Sequence, residues 1–573
     1  MKALEAVLTV DGQTYAPPIG KTTYYDAFYV ECREEAGHTW SVFIHPKRDI
    51  VIQSCYLRFA LGDSGRKAFL CNGYQSWSET RWTHEARNPV RNLRFLKGKF
   101  GAYGDALWGG ARTPNRPYAW TLGLFQNTDG FYEMVGSLRE DVCFTRFEWL
   151  PERNELIAHK DLYDLRLSHS FPLVHFWRGS AARESDLFEA YAGQARREAP
   201  YPWRAATSEA PALGWTSWYR YFNRITYANL ARDLETVAQS SLPFKYFQID
   251  DGWQPEVGDW REARPAMQPG MADMARRIRE AGLTPGIWLA PFVAGRRSAL
   301  VRQHPDWLLR DGRGRPVRAG WNPMWGGDFY ALDISRPAVR EYLSGCLHIA
   351  AERWGYDFFK LDFLYAAALY PGSGRTRAQV MADALDFLYA QLPCKTILAC
   401  GVPLGANWGR CEYVRTSGDT HLSWSHRLAA WIGHRERPDT LAALHTNLTR
   451  WGMGCGAWGQ DPDVFILRAH SQRLTPTQQN TLLTVNALLG DLLFTSDAPA
   501  SYSPEQEVEL LEALELLQQA RVSRVQPLGP ELYRIDYGLG GKEYMALVNL
   551  SGRRVRLAEA TLSPHETLTL LRF

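Results

Sequence analysis

The sequence predicts a multidomain α/β protein with three parts. These are an all-β, sandwich-like N-terminal part, a central (β/α)8 barrel of parallel strands, and a small antiparallel β part at the C-terminus. Three observations carry this. Residues 1–200 are mostly short β-like runs between polar turns; from Pro211 strand-like and helix-like periods alternate through eight units; after residue 519 only alternating strands remain. A chain of 573 residues that is 45% hydrophobic has room for about two to four cores, and its expected divisions are 1–200, 201–519 and 520–573.

In the first part, CYLRFA (55–60), TWSVFIH, AWTLGLF, GFYEMVG and LVHFWRG read as strands, and Ser185–Ala199 as a helix. YPWR (201–204) and the polar stretch after it read as a linker. The eight apolar runs of the second part are ALGWTSW, KYFQIDD, TPGIWLAPF, FFKLDFL, KTILACG, YVRTSGD, MGCGAWGQD and DLLFTSD. Helical periods lie between them at Asn229–Ser240, Met271–Ala281, Ala338–Trp354 and Arg377–Gln391. Eight such units over nearly 300 residues suit a closed parallel barrel. After a helix at Glu505–Gln519, LYRIDYG, KEYMALVNL, RRVRLAEA and ETLTLLRF read as antiparallel strands.

The net charge is +3 and the basic residues are spread along the chain, which argues against nucleic acid or a membrane surface as partner. No run of about 18 apolar residues is present, and Glu5 interrupts the only apolar stretch of the N-terminus, so a soluble, cytoplasmic protein is expected. The nine cysteines are scattered without a CxxC pair, which supports neither zinc nor a disulfide framework. The 22 tryptophans offer flat apolar faces that suit the C–H-rich faces of sugar rings, although each also suits a large core.

In a barrel of this kind the active site forms where strands end. The strand ends here carry Asp250, Asp251, Asp362, Asp419, Asp461 and Asp497. An aspartate there is also a common helix N-cap. Lys360 and Asp362 are two apart on a strand and so share a face; a lysine beside Asp362 favours the ionised carboxylate that a nucleophile needs. Asp419 follows Gly418, which lets backbone approach a ligand closely, and Arg415 lies near enough to bind substrate or a carboxylate. As a general acid, Asp419 needs a raised pKa. Asp250 and Asp251 end their strand together and are placed to hold sugar hydroxyls, with a metal site or an N-cap as competing readings. Trp253 and Trp288 are expected to wall the sugar or to sit in the core.

In order and spacing, GWTSWYRYF, QIDDGW, GIWLAPF, YALDIS, KLDFLYA, CGVPL, VRTSGD and QDPD resemble the glycoside hydrolase family 36 α-galactosidases, above all the shorter bacterial and archaeal members. The resemblance covers essentially the whole chain. It implies a TIM-like barrel between an N-terminal β-supersandwich and a C-terminal β domain, with Asp362 as nucleophile and Asp419 as acid/base. It implies that Asp250 and Asp251 bind the 4- and 6-hydroxyls of galactose, and that Lys360 and Arg415 are polar substrate contacts. Trp288, Trp218 and Tyr219 match pocket aromatics, and Trp77, in NGYQSW, matches a tryptophan that closes the pocket from the N-terminal domain. The residues alone would put Trp77 in a sheet core. No cofactor or metal is implied. The stretch CGVPLGANWGRCEY departs from the longer members' glycine-rich loop, so their contacts are not carried onto it. In the loop Asp311–Asp328, Trp321 and Trp325 are read either as contacts to the leaving-group sugar or as packing residues.

The function expected is retaining hydrolysis of terminal α-linked galactose from small oligosaccharides such as melibiose or raffinose. An α-N-acetylgalactosaminidase, an α-galactosyl transferase and a non-catalytic carbohydrate-binding protein are the alternatives.

Overall fold

In a computed structural model, the described residues are 1–35, 39–62, 65–85, 116–204, 210–372, 374–432 and 435–572. The polar stretch expected to serve as a linker after Arg204 falls almost wholly outside them.

Two antiparallel sheets make up the N-terminal part. One is ordered Gln13–Tyr15, Lys2–Val10, Ile50–Ala60, Glu155–Lys160, Thr145–Leu150, Tyr118–Trp120, with Leu165–Leu167 paired to Ile50–Ala60; the other has eight strands. Side chains alternate across a strand, so Ile50 and Ile52 face inward, and after an irregularity at Gln53 shifts the alternation by one so do Leu57 and Phe59, in one core with Trp40, Val42, Phe147 and Phe176 of both sheets. AWTLGLF is divided between two strands, Tyr118–Trp120 and Leu122–Asn127, that lie in different sheets. The positive φ of Thr121, +71°, marks the switch.

All eight apolar runs of the central part become strands of one parallel sheet. These are β1 (Ala212–Thr216), β2 (Phe244–Ile249), β3 (Thr284–Leu289), β4 (Phe358–Leu361), β5 (Thr396–Ala399) and β6 (Tyr413–Arg415). They continue with β7 (Gly459–Asp461), β8 (Val464–Phe465) and β9 (Leu492–Thr495). The sheet runs β7-β6-β5-β4-β3-β2-β1-β9-β8. Its two edge strands, β7 and β8, are consecutive in the chain with only Pro462 and Asp463 between them, so the sheet curls. Rings from strands far apart in that order meet inside the curl: Phe358 of β4 lies 5.9 Å from Phe494 of β9, and Tyr246 of β2 touches both. Interior positions are filled by side chains, as the enclosed face of a parallel sheet requires.

Four of the helices start where their sequences cap them on both sides of the first turn. Thr226 with Asn229, Thr376 with Gln379, Thr475 with Gln478 and Ser503 with Gln506 form reciprocal capping boxes. Each satisfies two backbone donors that the first turn leaves open. Between β3 and β4 the chain makes a small three-stranded sheet, Val293–Gly295, Arg318–Asn322 and Gly327–Ala331. The stretch read as a loop at Asp311–Asp328 is therefore partly a hairpin.

The last part is a four-stranded antiparallel sheet, Arg521–Gly529, Leu532–Leu539, Lys542–Asn549 and Thr567–Leu571. RRVRLAEA does not form the strand expected of it. Only Val555–Arg556 pairs, with Thr561–Leu562, because the Asn549 side chain donates to the carbonyls of Arg553 and Ser563 at 2.7 Å each and ties the segment into a loop. Among the described residues no helix is long and apolar enough to cross a membrane.

Candidate active site

At the C-terminal ends of the sheet strands lies a cavity of about 360 Å³. Its lining includes Trp77, Trp218, Tyr219, Asp250, Asp251, Trp288, Lys360, Asp362 and Asp419, nine of the ten residues to which the family resemblance assigns a role. The tenth, Arg415, sits behind Asp419 and donates to it at 3.0 Å from Nη1.

Backbone register puts these groups together. Trp288 of β3 stands beside Lys360 of β4. From there its indole N–H reaches Asp362 Oδ2 at 2.9 Å, and the Phe363 N–H donates to Oδ1 at 3.0 Å. Asp250 is more heavily bound: Lys360 Nζ donates at 2.8 Å, Gln248 Nε2 at 3.2 Å, and the Asp251 N–H at 2.9 Å. Asp251 accepts from Gln254 at 2.6 Å and from the Trp325 indole at 2.7 Å. Arg415 of β6 is in register with Asp461 of β7, which accepts from its Nε at 2.8 Å.

Electrostatics separate the carboxyls. Burial pushes Asp419 up to about 7, and the charge on Asp463 adds to this, against the pull of Arg415 and Lys360. Its side chain is still 37% exposed and faces the cavity, so a bound molecule that displaced water would act in the same direction. That is the shift a general acid needs. Asp362 departs from expectation. Lys360 pairs with Asp250 rather than with Asp362, and burial holds the Asp362 carboxyl above its ordinary value even though Lys360 and the Trp288 bond pull it down. Asp251 is pushed up to about 6, chiefly by burial, with the charges of Asp250 and Asp362 adding.

One reading left open is decided and two further expectations are corrected. Trp253 does not line the cavity; it is fully buried and its indole donates to the Trp288 carbonyl at 2.9 Å, so it supports the wall from behind. Asp461 and Asp497 also stay outside, held by Arg415 and Arg468 respectively. Gly418 makes room for protein rather than for a ligand: a Cβ there would stand 3.2 Å from the carbonyl oxygens of Arg437 and Trp77.

Trp77 comes from far away in sequence. The Asn72–Thr80 segment of the N-terminal part is bolted onto the strand ends. Ser76 N–H donates to Val402 O at 2.9 Å, Arg450 donates to the carbonyls of Ser76 and Gln75, and Ser78 donates to Glu436 at 2.8 Å. The Trp77 ring then meets Phe363 edge-on, 4.8 Å between centroids. Trp321 and Trp325 divide: Trp325 is buried and bonded to Asp251, whereas Trp321 is 41% exposed at the cavity mouth with Met324. Glu436, His421 and Phe363 also line the cavity and were not legible beforehand; Glu436 and His421 lie on loops past the strand-end motifs, and Phe363, inside KLDFLYA, looks like any apolar residue of its run.

Residues 203–383, which hold β1 to β4 and the Asp250, Asp251, Lys360 and Asp362 cluster, match the family model described as Melibiase. The match covers about a third of the chain, the part that carries the first half of the parallel sheet. Over nearly its whole length, the chain is similar to TtGalA, an α-galactosidase from Thermus thermophilus solved with p-nitrophenyl α-D-galactopyranoside and with stachyose. For the first complex the TM-score is 0.68 and the identity 28%, covering 94% of this chain and 98% of that one. In sequence it is 33% identical over 144 residues to the α-galactosidase AgaA of Geobacillus stearothermophilus, which is 24% of this chain and 18% of that protein. It is 31% identical over 162 residues to an A type blood α-D-galactosamine galactosaminidase of Flavonifractor plautii, 27% of this chain and 14% of that protein. The aligned part of the chain thus spans less than a fifth of the length of either curated relative.

Proposed function

We propose that this chain is a retaining exo-α-galactosidase that releases terminal α-linked galactose from small oligosaccharides of the melibiose and raffinose type. The observation that carries the reading is the asymmetry of two cavity carboxyls: Asp362 is fixed by two N–H donors, while Asp419 faces the cavity with a raised pKa. Likeness to α-galactosidases supports it.

In this reading Asp362 attacks the anomeric carbon while Asp419 gives its proton to the leaving oxygen. Asp419 then takes a proton from water, which opens the galactosyl–Asp362 ester and restores both groups. The donors on Asp362 hold the attacking oxygens in place. Asp250 and Asp251 take the 4- and 6-hydroxyls; their lone pairs not used by Lys360, Gln254 and Trp325 are the acceptors. Trp288 and Trp77 wall the ring, Trp218 and Tyr219 complete the pocket, and Arg415 orients Asp419. The reaction is complete with these groups alone.

The curled sheet is read as a closed barrel of eight strands in which β7 and β8 are two halves of one strand. The divisions 1–200, 201–519 and 520–573 follow as β-supersandwich, barrel and C-terminal β domain. A cytoplasmic location fits the nine cysteines, none of which is in a disulfide and seven of which are buried.

Hydrolysis of p-nitrophenyl α-galactopyranoside beside the N-acetylgalactosaminide, with the product anomer followed by NMR, tests the reading. α-Galactose is expected as the first product, from the galactoside only. Turnover of neither substrate would return the carbohydrate-binding reading to the front, and β-galactose as first product would exclude retention.

A further inference from the structure

At the seam where the two edge strands of the parallel sheet follow one another stands a buried aspartate that the mechanism above does not use. Asp463, between β7 and β8, is 1% exposed. Its φ of +76° is in the left-handed region, which aspartate visits more readily than most residues but still at a cost. Its own N–H donates to Asp461 at 3.0 Å, which pins the unusual turn.

The carboxylate held by that turn touches three separate pieces of the cavity wall. Oδ2 accepts from the Thr420 N–H at 2.7 Å and from the Tyr219 hydroxyl at 2.5 Å; Oδ1 lies 2.9 Å from Arg415 Nη2. Thr420 is the residue after Asp419, Tyr219 follows β1 and lines the cavity, and Arg415 is the hydrogen-bond partner of Asp419. Tyr219 keeps its proton, since burial and the nearby charges of Asp419 and Asp463 push its hydroxyl well up. It therefore acts as a donor to Asp463.

Charge counting gives this arrangement a consequence. The single guanidinium of Arg415 is shared by three carboxyls: Asp461 on Nε, Asp463 on Nη2 and Asp419 on Nη1. Three anions around one cation leave excess negative charge in a desolvated place, and a proton relieves it. Asp461 and Asp463 are closed off from the cavity, whereas Asp419 opens to it, so the proton that sits on Asp419 is the one that can be delivered. The other groups around Asp419 are Lys360 and Asp362 from β4 and its end, with Tyr219, His421 and Glu436 also at the cavity. Lys360 is already paired with Asp250.

We propose that Asp463 is a positioning residue for Asp419: it fixes the loop that carries the acid/base carboxyl and, by occupying Arg415, leaves that carboxyl its proton. This rests on the reading of Asp419 as acid/base. Burial and the Asp463 charge are the two largest influences that push Asp419 up, which agrees with the geometry.

The test is the pH profile of kcat/KM for melibiose in Asp463→Asn and Asp463→Glu. An asparagine can keep its oxygen toward Thr420 and Tyr219 while losing the charge; a glutamate keeps the charge and disturbs the fit. In Asp463→Asn the alkaline limb should move to lower pH by about one unit, which costs about tenfold at pH 8. In Asp463→Glu it should stay near its wild-type position even where the rate falls at every pH. A limb that stays in place in Asp463→Asn, or moves equally in both variants, would overturn the proposal. Should Asp463→Asn fail to fold, Asp461→Asn takes its place. It also frees Arg415 to pull on Asp419, so the same direction of movement is expected and an unmoved limb contradicts it. An alkaline limb that survives Asp419→Asn overturns the acid/base reading and this inference with it. A limb lost there but unmoved in Asp463→Asn overturns only the inference.

Discussion

Along the β2–β4 wall of the cavity, Asp250, Asp251 and Asp362 each accept at least two N–H hydrogen bonds. On the β6 side, the one hydrogen bond found at the Asp419 carboxyl among the described residues comes from Arg415, which two further aspartates share. The difference follows from where each residue sits. The first wall is made of adjacent short strands whose register places donors and acceptors side by side. Asp419 instead lies four residues past Arg415 on a loop, beyond the reach of that ladder. A carboxylate that binds or attacks benefits from being held in one geometry, because positioning done beforehand need not be done in the transition state. One that must give and retrieve a proton benefits from weak holding and a pKa near working pH.

Breaking the loosely held side should show in the dependence on leaving group and on pH. For Asp419→Asn, kcat on melibiose is expected to fall on the order of 10³-fold, and less on p-nitrophenyl galactoside, whose leaving group needs little protonation in the first step. The wild-type profile should decline on the alkaline side near pH 7, because Asp419, at about 7, loses its proton as pH rises through that value. It should decline on the acid side as Asp362 gains a proton, at a pH above the ordinary carboxylate range. A pH profile in both variants and substrates checks this: equal losses on the two substrates would contradict the assignment of the proton to Asp419.

Disturbing the tightly held side should show first in stability. Lys360→Met leaves Asp250 buried without its counter-charge, 3% of its side chain exposed. Removing one partner of a buried pair costs about 3 kcal/mol or more, to be read from the denaturant midpoint at constant m-value. A loss below about 1 kcal/mol would show that Gln248 and the Asp251 N–H suffice to hold Asp250.

The strands were legible because the sheet's interior demands apolar and aromatic runs, and five of the eight runs carry aspartate at or near their C-terminal ends. FFKLDFL shows both at once: Phe358 enters the aromatic interior and Asp362 the cavity. Helices were legible by their apolar period, as at Met271–Glu280, whereas Pro476–Leu489, buried over most of its surface, has too weak a period to stand out. What sequence periodicity does not carry is docking. Trp77 lies 285 residues before Asp362, and the bonds that bind its segment to Val402, Glu436 and Arg450 bring it to the cavity. Trp77 entered the expected site through resemblance to a family, not through its own neighbours. Trp253 and Trp288 illustrate the converse. Both stand in aromatic-rich strand ends, and which of them faces the cavity is decided by one turn, QIDDGW, in which a Cβ at Gly252 would collide with the backbone of Asn223 at 2.6 Å. Asp463 sat within a recognised motif, QDPD, yet nothing local distinguishes it from Asp461; its three partners come from elsewhere in the chain.

The central claim is that Asp362 is the nucleophile of a double displacement. Its most direct test is Asp362→Gly with p-nitrophenyl α-galactopyranoside, with and without azide. The loss without azide should be on the order of 10⁴-fold, and azide, entering from the vacated side, should restore turnover as β-galactosyl azide. Restored turnover that yields α-galactosyl azide, or an Asp362→Gly variant as active as wild type, would contradict the account.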